Sequence, residues 1–180
     1  MIPFLYCGRR NRSFRALALA LLACSLAGCE WPTSVRIKGG TAPVFDLSGS
    51  GEVAIFTVYS PDYMTKAKCP GDEDFALWKI KPSGGYFDGT WIHKLGSITY
   101  GVVPPGYVQV KPKDGTPPPL MEGQKYFYVV VTMNAPGTSG YFEIRNSRAV
   151  QTTGSGPCFL DDHGKTIRVP CPKALLEDTK

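Results

Sequence analysis

The residues of this chain with chemistry to offer are six cysteines, two histidines and two short acidic runs. A nucleophilic thiol needs a neighbouring base or a helix N-terminus to lower its pKa. Cys69 is followed by Pro70-Gly71, which opens no helix, so a dyad of Cys69 with His93 or His163 lacks that support. Asp161-Asp162-His163 are adjacent, whereas metal sites draw ligands and second-shell partners from separate segments. Asp72-Glu73-Asp74 lacks the alternating ligands and the glycine of a calcium loop. Both runs read as solvated turns. No G-x-S-x-G, H-E-x-x-H, phosphate-binding or dinucleotide motif is present. These residues predict a non-enzymatic protein with no cofactor and no metal site. The alternative is a hydrolase using the Cys69–Asp74 or Tyr86–Trp91 loops, which requires a cleft lined by carboxylates.

Recognition has a better candidate. Ser83-Gly84-Gly85-Tyr86-Phe87-Asp88-Gly89-Thr90-Trp91 is glycine-rich with three aromatics. Aromatic side chains on loops give large contact area at low entropic cost, which suits sugars or protein partners. Tyr86, Phe87 and Trp91 are therefore expected partner-binding residues. The competing reading makes this segment a hairpin whose Trp91 closes the core, with His93 pointing outward from the strand that follows.

The elements that would hold such a loop are short and β-type. The chain has 180 residues, 43% apolar and 12% aromatic, with 20 Gly and 16 Pro. That composition supports one core with many tight turns and argues against disorder or a helical bundle. Strands are expected at Ser34–Lys38, Val44–Leu47, Val53–Ser60, Phe75–Lys81, Trp91–Leu95, Ile98–Val103, Tyr107–Lys111, Tyr126–Met133 and Tyr141–Asn146. A final hairpin is expected across 157–171, and the one helical candidate is Lys173–Asp178. Many short strands at this spacing predict an all-β antiparallel sandwich. Within it, Leu120, Gly123, Tyr126 and Val130 follow L-x-x-G-x-x-Y-x-x-x-V. This resembles the corner between strands E and F of immunoglobulin and fibronectin type III-like sandwiches. The resemblance implies that the Tyr126 hydroxyl bonds back to the upstream backbone. The run Gly115–Pro119 lengthens the approach and reads as a rigid connection.

Side chains alternate along a strand. Tyr126, Tyr128, Val130 and Thr132 then point inward, leaving Phe127, Val129, Val131 and Met133 on the outer face. Trp78, Ile80, Phe142 and Ile144 join the core, while Phe75, Leu77 and Tyr141 face out. The outer face is too apolar to stay bare. The C-terminal extension is the expected cover, and a protein or glycan seated on Phe127 and Val129 is the alternative. If His163–Thr166 is the hairpin loop, Leu160 faces Val169 and Cys158 faces Cys171, within disulfide reach. The alternative pairs Cys69 with either.

The first residues look like an address. Arg9, Arg10, Arg12 and Arg15 precede the apolar run Ala16–Ala23, and the formal charge of +5 falls to +1 without these four arginines. The basic excess is thus no nucleic-acid signal, and the apolar stretch is shorter than the ~20 residues of a spanning helix. Leu26-Ala27-Gly28-Cys29 resembles the lipobox of bacterial lipoproteins. The resemblance implies cleavage before Cys29, a diacylglycerol on its thiol, and a membrane partner held through that lipid. Several acyl chains make such anchoring effectively permanent. By the enteric sorting pattern, Glu30 implies an outer-membrane passenger. The expected division is a signal peptide (1–28), a tether (29–34), a sandwich (35–150) and a C-terminal extension (151–180). The expected role is structural or binding, with an envelope protein or glycan as further partner. Ser83-Gly84 and Tyr86 also resemble the loop of membrane-bound lysozyme inhibitors, one residue short in spacing and in a longer chain. That makes a hydrolase inhibitor a further alternative.

Overall fold

The computed structural model describes residues 31–67 and 71–153. Cys29, Cys69, the expected Cys158–Cys171 hairpin and the helical candidate 173–178 lie outside the described residues. Among the described residues, ten strands form two antiparallel sheets: β1 (Ser34–Lys38), β2 (Val44–Ser48), β3 (Glu52–Tyr59), β4 (Ala76–Pro82), β5 (Thr90–Trp91), β6 (Ser97–Thr99), β7 (Tyr107–Lys111), β8 (Lys125–Met133), β9 (Thr138–Arg145) and β10 (Arg148–Thr152). The smaller sheet has the order β1-β2-β6, and the larger has β10-β9-β8-β3-β4-β7, with β5 also on β3. The protein is an all-β sandwich.

Period-two alternation explains the core. Val35 and Ile37 of β1, and Phe45 and Leu47 of β2, point inward from strands whose other side chains are exposed or half-buried. They meet Phe56, Trp78, Ile80, Tyr128, Val130, Phe142 and Ile144 of the larger sheet. Aromatic rings interlock edge to face, Phe45 with Phe56 at 4.8 Å and Phe56 with Trp78 at 5.7 Å. The indole N–H of Trp78 donates to Gln109 Oε1 at 3.0 Å. Gln109 in turn donates to the carbonyls of Pro112 and Gly115, fastening the proline-rich connection to β7. Tyr126 opens β8, and its hydroxyl accepts the backbone N–H of Met121 at 2.7 Å, while Leu120 is buried beneath it. The tyrosine corner expected from the spacing is in place.

Three expectations about elements need correction. Trp91–Leu95 is no strand: after the two residues of β5, Ile92–Leu95 makes one helical turn. Gly96 ends it at φ 67°, donating to the Ile92 carbonyl at 2.8 Å. The strand expected at Ile98–Val103 stops at Thr99, because the chain turns through Gly101 at φ 80°. β10 went unread because it is an edge strand whose only buried residue is Ala149, too little to give an apolar pattern. The stretch expected as a tether, 29–34, is described from residue 31 onward, and there it is bonded to the body. Thr33 is buried and donates to the Pro136 carbonyl at 3.1 Å, and the Trp31 carbonyl accepts from Ser50 N–H at 3.0 Å and Ser50 Oγ at 2.9 Å. Residues 31–34 belong to the body.

Candidate functional surface

The expected recognition residues fall in two places. Phe127 and Val129 lie on the outer face of the larger sheet. There the β3–β4 connection folds back over the sheet, and its helical turn Tyr63–Lys66 places Tyr63 on Phe127, rings 5.5 Å apart and nearly parallel. Tyr63 also stacks on Tyr59 at 4.2 Å, and Tyr141 packs beside Phe127 at 5.0 Å. Phe127 is left 5% exposed. It is covered by its own chain and presents no ring to a partner. The cover over Phe127 is residue 63, within the β3–β4 connection; the C-terminal extension lies outside the described residues. Val129 remains half-buried and lines a shallow depression of about 530 Å³ with Val131, Gly137 and Ser139.

Burial pushes the Tyr59 hydroxyl well above its ordinary value near 10, with Tyr63 beside it adding to the effect. The Tyr63 hydroxyl is raised by burial too, although it accepts the Gly71 N–H at 3.0 Å. The acidic run below this cluster is built into the fold. Asp72 caps the short turn Glu73–Phe75 by accepting from Asp74 N–H, and Glu73 pairs with Lys79. Among the described residues no group of three or more His, Cys, Asp or Glu is placed to hold a metal ion.

Tyr86, Phe87 and Trp91 lie elsewhere, at the end of the sandwich where β1 begins. Four connections meet there: the β2–β3 turn, the β4–β5 loop, the helical turn after β5, and the β8–β9 turn. The β4–β5 loop is tightened by Gly85 N–H to the Pro82 carbonyl and Asp88 N–H to the Gly85 carbonyl. Its exit is fixed by Tyr107. That buried hydroxyl donates to the Val53 carbonyl at 2.7 Å and accepts the Thr90 N–H at 3.1 Å. Burial raises the Tyr107 pKa, holding the hydroxyl protonated as a donor. Gly89 is required here, because a Cβ would sit 2.7 Å from the Val53 carbonyl oxygen.

Phe87 is 76% exposed, and Tyr86 packs edge-on against it with ring centres 5.5 Å apart. Trp91 is 39% exposed, leaning on the exposed His93 at 6.1 Å. Trp91 therefore does not close the core; the buried Ile92 beside it does, with its N–H donating to Gly51. His93 is at the surface, on a helical turn and not on a strand. Sequence reasoning missed a fourth ring. Trp31, 75% exposed, is pinned by Ser50, the residue next to the Gly51 that holds Ile92. A Cβ on Gly49 would meet the Pro32 carbonyl oxygen at 2.6 Å, so this docking needs a glycine, already at φ 118°. No sequence signal short of the glycine run Gly49–Gly51 marks the contact.

The end surface thus offers the exposed rings of Trp31, Phe87 and Trp91. No family model, curated protein or solved structure matches this chain. No helix among the described residues is long and apolar enough to cross a membrane.

Proposed function

We propose that this chain is a lipid-anchored lipoprotein of the bacterial cell envelope with a structural or binding role and no enzymatic one. The observation that carries the reading is Leu26-Ala27-Gly28-Cys29 behind a basic and then apolar leader, directly ahead of a folded domain. Only Glu30 separates the acceptor cysteine from Trp31, the first described residue, whose carbonyl is bonded to Ser50. The lipid then holds the body close to the bilayer, facing the periplasm or the cell surface, with its end loops available to an envelope protein, glycan or lipid. Detergent phase partitioning of the full chain expressed in a bacterium tests the anchor. The parent should enter the detergent phase, and Cys29→Ser should stay in the aqueous phase; equal partitioning of the two contradicts the reading.

A further inference from the structure

Three large rings, Trp31, Phe87 and Trp91, are exposed at one end of the molecule. That same end holds Trp31, the first described residue, two positions after Cys29 in the sequence. Two residue steps at about 3.5 Å each keep the Cys29 Cα within roughly 7 Å of the Trp31 Cα. The headgroup layer on one side of a bilayer is about 5–8 Å thick, half the difference between its total and hydrocarbon thickness. An acylated Cys29 at the hydrocarbon edge therefore leaves Trp31 inside the headgroup layer. Trp31 cannot swing away as a leash would, because its carbonyl is bonded twice to Ser50. The neighbouring Gly51 holds Ile92 and so brings Trp91 to the same end.

We infer that this end is a membrane-contact surface, on which Trp31, Trp91 and Phe87 enter the lipid headgroup region and fix the orientation of the sandwich on the bilayer. The inference rests on the lipoprotein reading. Its occupant is lipid because the anchor puts lipid there first, and because Trp with one apolar and one polar edge favours that interface. Exposed Lys94 on the adjoining turn adds attraction for anionic headgroups, with exposed Asp88 of the β4–β5 loop opposing it.

The three tryptophans supply the test. Trp78 is fully buried in the core and serves as an internal reference. Full-length protein purified from bacterial membranes is first weighed by mass spectrometry for acyl chains on Cys29. It is then placed in vesicles of phosphatidylethanolamine and phosphatidylglycerol, with and without dibrominated phosphatidylcholine, a short-range quencher. In the Trp31→Phe variant the Trp91 emission should shift to shorter wavelength and be largely lost on brominated lipid. In the Trp31→Phe/Trp91→Phe variant the remaining Trp78 emission should be unaffected. An acylated protein whose Trp91 ignores the brominated lipid overturns the inference, leaves the lipoprotein reading standing and frees this end for a protein or glycan. Quenching that persists in the double variant also overturns it. A chain without acyl groups on Cys29 removes both.

Discussion

At the scale of single residues, Tyr126 and Trp91 show two opposite uses of an aromatic side chain. The Tyr126 ring is in the core, and its hydroxyl satisfies a backbone donor in the approach to β8. Tyr126→Phe keeps the ring and strands the Met121 N–H, so it should cost about 1–2 kcal/mol, read as a lower urea midpoint at unchanged slope. Trp91 is 39% exposed and leans on the His93 ring. Trp91→Ala should cost less than about 1.5 kcal/mol in the same measurement, well short of the loss of a core ring. A loss of several kcal/mol would return Trp91 to the core. The corner tyrosine was legible because spacing alone encodes it. For Trp91 the residues left two readings, exposed ring or core closure, because the single helical turn that follows it is too short to show a period. Trp31 was unreadable for a different reason: its place depends on backbone bonds to Ser50 and, through Thr33, to Pro136.

At the scale of elements, the β3–β4 connection acts as a lid. The alternation of Tyr126–Met133 correctly predicts an apolar outer face, since Phe127 and Tyr141 do lie there among aromatic neighbours. What the sequence could not show was the source of the cover. Tyr63 sits on a four-residue turn with no amphipathic pattern, and its partner Phe127 is distant in the chain. Tyr63→Ala should destabilise by about 3 kcal/mol, as loss of a buried aromatic ring does. It should also raise the binding of a hydrophobic dye to the folded protein, because Phe127 becomes accessible. Unchanged dye binding and stability would mean that Tyr63 is not what shields the face.

At the scale of the whole molecule, buried tyrosines link stability to pH. Burial raises the hydroxyl pKa of Tyr59, Tyr63, Tyr100, Tyr107, Tyr126 and Tyr128 above the ordinary value of 10. The folded state therefore keeps protons that the unfolded chain releases above about pH 10. The stabilisation is fully present below pH 10 and is lost as the pH rises past it toward the folded values. Denaturation midpoints should be insensitive to these groups at neutral pH and fall steeply above about pH 10, followed together with tyrosinate absorbance. A midpoint that stays level into strong alkali would contradict the burial of these hydroxyls.

The architecture as a whole was legible: short alternating strands, glycine and proline punctuation and the tyrosine corner lead to the observed sandwich. On the proposed reading, the use of that sandwich depends on one covalent event ahead of it, the acylation that would place its aromatic end at a lipid surface. Mass spectrometry of the N-terminal peptide of the mature chain, isolated from bacterial membranes, examines that event directly. The account predicts a peptide that begins at Cys29 and carries the added mass of its acyl chains. A peptide that begins upstream of Cys29, or an unmodified cysteine at that position, would contradict it.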